Sequence, residues 1–188
     1  MADGRLREEY RGLSRQELLN KAYESGHNYE KYSQSCSQCT VAGLHRLLDI
    51  DDVIVKVATS LCGGAALQII GSCGALTGGI MVLDYYFGRP VDKLSDKESV
   101  QENLDALFTA FEAPQLYADR FVREYGTTLC GQIQRQLFGR FFWPMDEEEM
   151  QKFEAAGAHT DPGKCCHVVG NGVRWVTEIL LDRKAIEP

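Results

Sequence analysis

The sequence predicts an all-α fold, a single-domain bundle of about seven or eight helices with a buried, glycine-rich helix at its centre. Three observations carry that expectation. Apolar residues recur at three- and four-residue spacing in segment after segment. Helix-start signatures of the type Ser-x-x-Glu stand ahead of two of those segments. Alternating apolar and polar runs, the mark of half-buried strands, are nearly absent. A chain of 188 residues with 44% hydrophobic side chains can bury one sizeable core and is short for two. No repeat, low-complexity tract or linker divides it, so one domain is expected over 1–188, with 1–13 a flexible or loosely packed lead-in.

Ser14-x-x-Glu17 reads as a capping box before Leu18, Leu19, Ala22 and Tyr23, in a helix expected to end near Gly26. Cys36 to Leu48 follows with Cys39, Val41, Leu44 and Leu47 on one face. Asp51 or Asp52 caps a third helix with Val53, Val57 and Leu61 inward, stopped by Gly63-Gly64. Its β-branched stretch, Ile50 to Val57, is the segment most open to another conformation. Ser72 to Phe87 is apolar nearly all round and is expected at the centre of the bundle. Ser95-x-x-Glu98 then opens a long helix carrying Leu104, Leu107, Phe108 and Phe111, which Pro114 kinks or restarts before it ends at Gly126. Thr127 or Thr128 caps Leu129 to Phe138. The aromatic connection Gly139 to Pro144 reads as loop core, and a short acidic helix covers Asp146 to Ala156. Asp161-Pro162 starts the last helix, with Val168, Val169, Trp175, Val176, Ile179 and Leu180.

Composition excludes several functions. Twenty basic against 27 acidic side chains give a net charge of −7, which offers no footprint for nucleic acid. The longest apolar stretch, Gly78 to Leu83, meets Asp84 far short of the roughly 20 residues that a bilayer requires. No apolar run follows the charges of the first 13 residues, so no export signal is read there and a reducing cytoplasm is the expected compartment. No G-x-S-x-G, H-E-x-x-H or P-loop pattern occurs.

Seven cysteines remain to be explained. In a reducing compartment, thiolate chemistry or metal binding precedes a disulfide framework, and an odd count leaves at least one thiol unpaired. Their phase is informative. Cys36, Cys73, Cys130 and Cys165 fall within or just beyond the first turn of four separate predicted helices. Helix starts carry unpaired N–H groups and positive partial charge, which lower a thiol's pKa and can donate hydrogen bonds to a cysteine-ligated cluster. Around Cys73 the sequence reads GSCGALTGG, and Gly74 and Gly78, four apart, allow a backbone or a cluster to come close. Cys36-Ser-Gln-Cys39 lacks the βαβ surroundings of a thioredoxin and the histidine of a haem-attachment site. In Cys165-Cys166-His167, neighbouring side chains point about 100° apart, so one of the two thiols faces any shared site. His27, His45 and His159 read as structural, and Glu147 to Glu149 as a solvated helix cap.

The separated set Cys36, then Cys73-Gly74-Ala75-Leu76-Thr77-Gly78, then Cys130, then Cys165 resembles the C-GCAxxG-C-C family of redox-active proteins, from roughly Leu18 to Leu181. The resemblance implies a small helical redox protein with those four cysteines as functional thiols. It also implies a link to iron–sulfur chemistry, since relatives of the domain occur beside haems in split-Soret cytochromes that carry such a cluster. Cys39, Cys62 and Cys166 exceed the pattern and are possible substitutes in the ligand set. The expected cofactor is a 2Fe–2S or 4Fe–4S cluster on Cys36, Cys73, Cys130 and Cys165, with Gly74 and Gly78 beside it, serving electron transfer or redox sensing. The alternatives are a thiol–disulfide oxidoreductase using one cysteine pair and a helical protein built on structural zinc. A redox partner protein is implied, no nucleic acid or membrane is, and relatives motivate a homodimer.

Overall fold

A computed structural model describes residues 4–98 and 100–187. Its eight helices are α1 (Arg15–Ser33), α2 (Cys36–Leu47), α3 (Asp52–Val57), α4 (Gly74–Phe87), α5 (Gln101–Tyr125), α6 (Cys130–Phe138), α7 (Glu147–Ala155) and α8 (Cys165–Asp182). Three short 3-10 helices and isolated β-bridges, but no named strand, accompany them among the described residues. The expected all-α fold is present.

Ser14 opens α1 as the capping box predicts: its side chain accepts the Glu17 N–H, and its own N–H donates to the Glu17 carboxylate at 2.9 Å. The helix then runs a further seven residues past Gly26, because Gly26 is a packing residue and not a stop. A Cβ there would stand 2.5 Å from Val173 Cγ2 and 2.8 Å from the Val169 carbonyl of α8. Gly170 answers it, facing the Tyr23 ring and the Tyr23 carbonyl. Small residues on both helices therefore let α1 and α8 close on each other, and α2 joins them through Gly43.

Helix α4 lies at the centre, packed against α2, α5 and α8, with Ala75, Leu76, Val82 and Leu83 buried. The Tyr117 hydroxyl of α5 crosses to donate to the Ala75 carbonyl at 2.8 Å in this core. Tyr117 and Phe121 meet edge to face, and Phe121 meets Trp175 of α8 in the same way. Tyr117 and Phe121, both fully buried, each contribute about 1.5–3 kcal/mol through removal of apolar area from water. A smaller cluster, Phe142, Phe153 and Ala158, joins α7 to the aromatic connection. There Phe142 is core, as expected, while Phe141 and Trp143 reach the surface.

Several local expectations are corrected. Helix α3 stops at Val57, with Val53 and Val57 more than half exposed, and Ile54 and Val55 pack on the core instead. Helix α5 begins at Gln101, not at Ser95, although the Ser95 hydroxyl does accept the Lys97 and Glu98 N–H groups. It runs unbroken through Pro114, whose missing N–H leaves only one ladder position unpaired. Its buried face is Ala110, Ala113, Pro114, Tyr117, Phe121 and Tyr125, while Leu104, Phe108 and Phe111 are exposed. Asp161 does not start α8; its carboxylate accepts the Gly163 N–H in a turn, and Lys164 in a non-helical conformation precedes Cys165. Residues 4–13, expected to be loose, are docked. Gly4 N–H donates to Asp49 O and Asp49 N–H to Arg5 O, both at 2.8 Å, and Leu6 and Tyr10 are buried.

Gly26→Ala should lower stability by about 1–3 kcal/mol in urea denaturation, because overpacking against Val173 and the Val169 carbonyl outweighs the gain in helix propensity.

Candidate functional site: a cysteine-lined cavity

Four helices begin at one place. Cys36, Cys130 and Cys165 are the first residues of α2, α6 and α8, and Cys73 is the cap residue of α4. Ser14 and Asp146 cap α1 and α7 with their side chains, but none of the four cysteine-bearing helices has a side-chain cap. The positive ends of these four helices are thus not offset by side-chain acceptors.

Backbone pairing holds two of these starts together. Cys73 N–H donates to Thr128 O at 2.8 Å and Cys130 N–H to Gly71 O at 2.9 Å, flanking the bridge between Ser72 and Leu129. Cys36 reaches the same place because Gly74 has no side chain: a Cβ there would lie 2.3 Å from Cys36 Sγ. Gly78 lets the α2 backbone approach one turn later, with the Ser37 carbonyl 2.4 Å from where its Cβ would be. Both glycines thus sit at the α2–α4 contact, and neither lines the cavity.

Cys62 enters from a loop of unusual geometry. Gly63, Gly64, Ala65, Ala66 and Leu67 all have positive φ, between 46° and 78°, forming a left-handed turn. For non-glycine residues this costs about 1–2 kcal/mol each. Hydrogen bonds from Ala66 N–H to Ser60 O and from Ile69 N–H to Gly63 O, both 2.7 Å, hold it. The turn brings Cys62 to the cavity and aims the Gly63 N–H at the Cys36 sulfur.

The enclosed space measures about 90 Å³. Cys36, Cys62, Cys73, Cys130 and Cys165 line it, with Ile133, Leu137, Phe153 and Val169 as apolar wall. Cys39 and Cys166 do not. Cys39 is buried beneath α2, and the Cys166 thiol contacts the His159 carbonyl at 3.6 Å. All seven cysteines are free thiols. A larger depression of about 610 Å³, lined by Tyr10, Lys21, Tyr29 and Arg46 among others, is open to solvent and holds no cysteine.

Two lining residues escaped the sequence reading, Glu30 and His159. Glu30 continues the buried face Leu19, Ala22 and Gly26 of α1 and is itself buried. A helix taken to end at Gly26 hides that phase; extended by one turn, it places a carboxylate in an apolar stripe. His159, in the connection before α8, carried no spacing signal. Its Nδ1 meets Glu154 at 2.6 Å, and its Nε2 lies 3.5 Å from Glu30. Burial alone would lower the His159 pKa, but hydrogen bonding and charge from Glu30 and Glu154 raise it on balance.

Cys36, Cys39, Cys62, Cys130, Cys165 and Cys166 are held in their protonated forms. The Cys73 hydrogen bond, burial and the Glu30 charge push Cys36 well above the ordinary value. Burial, the Cys36 charge and weaker like charges push Cys130 up to about 12. Burial followed by Glu30 raises Cys165 strongly and Cys166 to about 11, and burial raises Cys39 and Cys62 as well. The expectation of low-pKa thiols at helix starts is therefore corrected for the metal-free protein: desolvation and neighbouring negative groups outweigh the helix ends. Among the described residues, no three His, Cys, Asp or Glu side chains are disposed to hold a single metal ion.

A family profile described as "Putative redox-active protein (C_GCAxxG_C_C)" matches residues 34–179, well over half of the chain. No curated protein and no solved structure matches it.

Two outcomes follow for the metal-free protein. Iodoacetamide at pH 8 should alkylate these thiols at least about tenfold more slowly than free cysteine, because the thiolate is the attacking form; mass spectrometry of timed samples reads this. The folded pKa values of Cys130 and Cys166 lie near 12 and 11, above the unfolded ones, so this stability is fully present below the ordinary thiol value of about 8.5 and is lost progressively as pH rises from there through the folded values. The thermal midpoint should accordingly fall between pH 8 and pH 10.

Proposed function

The chain belongs to the C_GCAxxG_C_C family, and from that premise we propose that this redox-active protein binds an iron–sulfur cluster in the cysteine cavity and serves electron transfer or redox sensing. The carrying observation is the convergence of four helix N-termini without side-chain caps, each bearing a cysteine, on one largely apolar cavity. Thiolates and cluster sulfides accumulate negative charge, and no lysine or arginine lines the cavity to offset it. Backbone N–H groups and helix ends supply the compensation.

The donor set fits such a group. Five thiols suit iron–sulfur ligation, and the Cys36 sulfur reaches its place among them only because Gly74 lacks a Cβ. A single zinc ion would require its ligands within one tetrahedron, whereas a cluster with several irons takes ligands spaced farther apart. Raised thiol pKa values fit binding coupled to proton release, since each ligand gives up its proton when it binds metal. The cluster, when bound, would accept and release one electron. Cys36, Cys73, Cys130 and Cys165 would hold it, with Cys62 adjoining. The Gly63 N–H would point toward the Cys36 sulfur, and Ile133, Leu137, Phe153 and Val169 would keep water out. No described helix is long and apolar enough to cross a membrane.

A second reading rests on the contact between the Cys36 and Cys73 sulfurs. Those two thiols could form one disulfide, delivering two electrons and two protons to an oxidised thiol–disulfide partner. The raised pKa of Cys36 makes that thiol a slow attacker in the metal-free protein.

Anaerobically purified and reconstituted protein should carry iron and acid-labile sulfide in equal amounts with a visible charge-transfer band. Replacing Cys36, Cys73, Cys130 or Cys165 by serine should each remove at least about half of the iron, while Cys39→Ser should retain it. Absence of iron and sulfide, with a single Cys36–Cys73 disulfide in the oxidised protein, would replace the cluster reading by the dithiol one.

A further inference from the structure

Glu30 is 3% exposed, lies on the core face of α1 and lines the cysteine cavity. One carboxylate oxygen, Oε1, faces His159 Nε2 at 3.5 Å. The other, Oε2, is the one buried side-chain nitrogen or oxygen without a hydrogen-bond partner among the described residues. A buried, unpaired carboxylate oxygen is destabilising, and a leucine of similar size would avoid that cost.

Its surroundings make the position more demanding. Glu30 shares the cavity lining with Cys36, Cys62, Cys73, Cys130 and Cys165, and no lysine or arginine lines it. A carboxylate among thiols with no cation beside its free oxygen is adverse until a positive centre enters. The oxygen is also held ready: Glu154 bonds His159 Nδ1, and His159 faces Glu30, so a three-residue chain fixes the carboxylate from behind. Metal-ligating carboxylates are typically anchored in this way by outer hydrogen bonds.

We propose that Glu30 is an oxygen ligand to iron in this cavity, with Oε2 bound to the metal and Oε1 oriented by the His159–Glu154 pair. The site is then mixed, thiolate and carboxylate, and one iron differs from those held by sulfur alone. The inference rests on the cluster reading above.

The test compares wild type, Glu30→Gln and Glu30→Asp. Gln preserves shape and an acceptor for His159 but binds iron poorly; Asp keeps the charge and withdraws it by one methylene. Metal-free proteins are unfolded in urea. Proteins reconstituted anaerobically with ferrous iron enriched in the Mössbauer isotope and with sulfide are examined by Mössbauer spectroscopy and by the rate of iron extraction by a chelator. Expected are a metal-free Glu30→Gln protein at least as stable as wild type and iron extraction roughly 10–100-fold faster in both variants. Loss of one iron's distinct signal is also expected. Wild-type extraction rates and an unchanged spectrum in both variants overturn the ligand assignment while leaving the cluster intact. Wild type that takes up neither iron nor sulfide overturns the cluster reading, and the ligand assignment with it. Should Glu30→Gln not fold, Glu30→Asp decides by the same two measurements.

Discussion

Everything at the candidate site depends on how closely α2 and α4 approach. Gly74 and Gly78 let the Cys36 sulfur and the Ser37 carbonyl occupy space that a Cβ would take. That contact fixes where α2 begins relative to α4, and hence where Cys36 stands relative to Cys73. The pairing of residues 69–73 with 128–131 then brings the start of α6 to the same point. Helix α8 arrives through the glycine-mediated contact with α1. The packing is thus the positioning device, and four helix ends meet because the helix bodies can.

Such convergence has an electrostatic consequence. Positive partial charges at four helix ends make the cavity favourable for a negative group, yet the Cys36, Cys62, Cys130 and Cys165 thiols are neutral when no metal is present. Burial, mutual repulsion and Glu30 hold the protons on. The two tendencies are opposed in the metal-free protein and become aligned once a cation binds and the thiols ionise. Strain is concentrated at the same place, in the left-handed turn after Cys62. Polar frustration and backbone strain both cluster around the cavity, whereas the α1–α8 and α4–α5 contacts are well satisfied.

Helix existence was legible from period, caps and glycines, and errors fell where tertiary contact overrides a local signal. Gly26 resembles a helix stop but is the residue that admits Val173. Leu104, Phe108 and Phe111 carry helical spacing but face solvent, because the wider stripe through Tyr117 and Phe121 already supplies the buried face of α5. Val53 and Val57 were placed inward by period alone, and a helix of only six residues gives too few repeats to choose between faces.

By itself the sequence determined the helical class and the placement of Cys36, Cys73, Cys130 and Cys165 at helix starts, because caps and 3.6-residue periodicity are local properties. It also singled out the glycines that govern close packing. Only the tertiary structure decided that these four starts share one cavity, that Cys62 joins them through a left-handed turn, and that Cys39 and Cys166 are left outside. It alone brought Glu30 and His159 to the sulfurs, from 6 to 135 residues away in sequence for the five lining cysteines. The physical reason is that protonation and desolvation depend on all the groups that meet in space, and a chain order carries no record of that meeting.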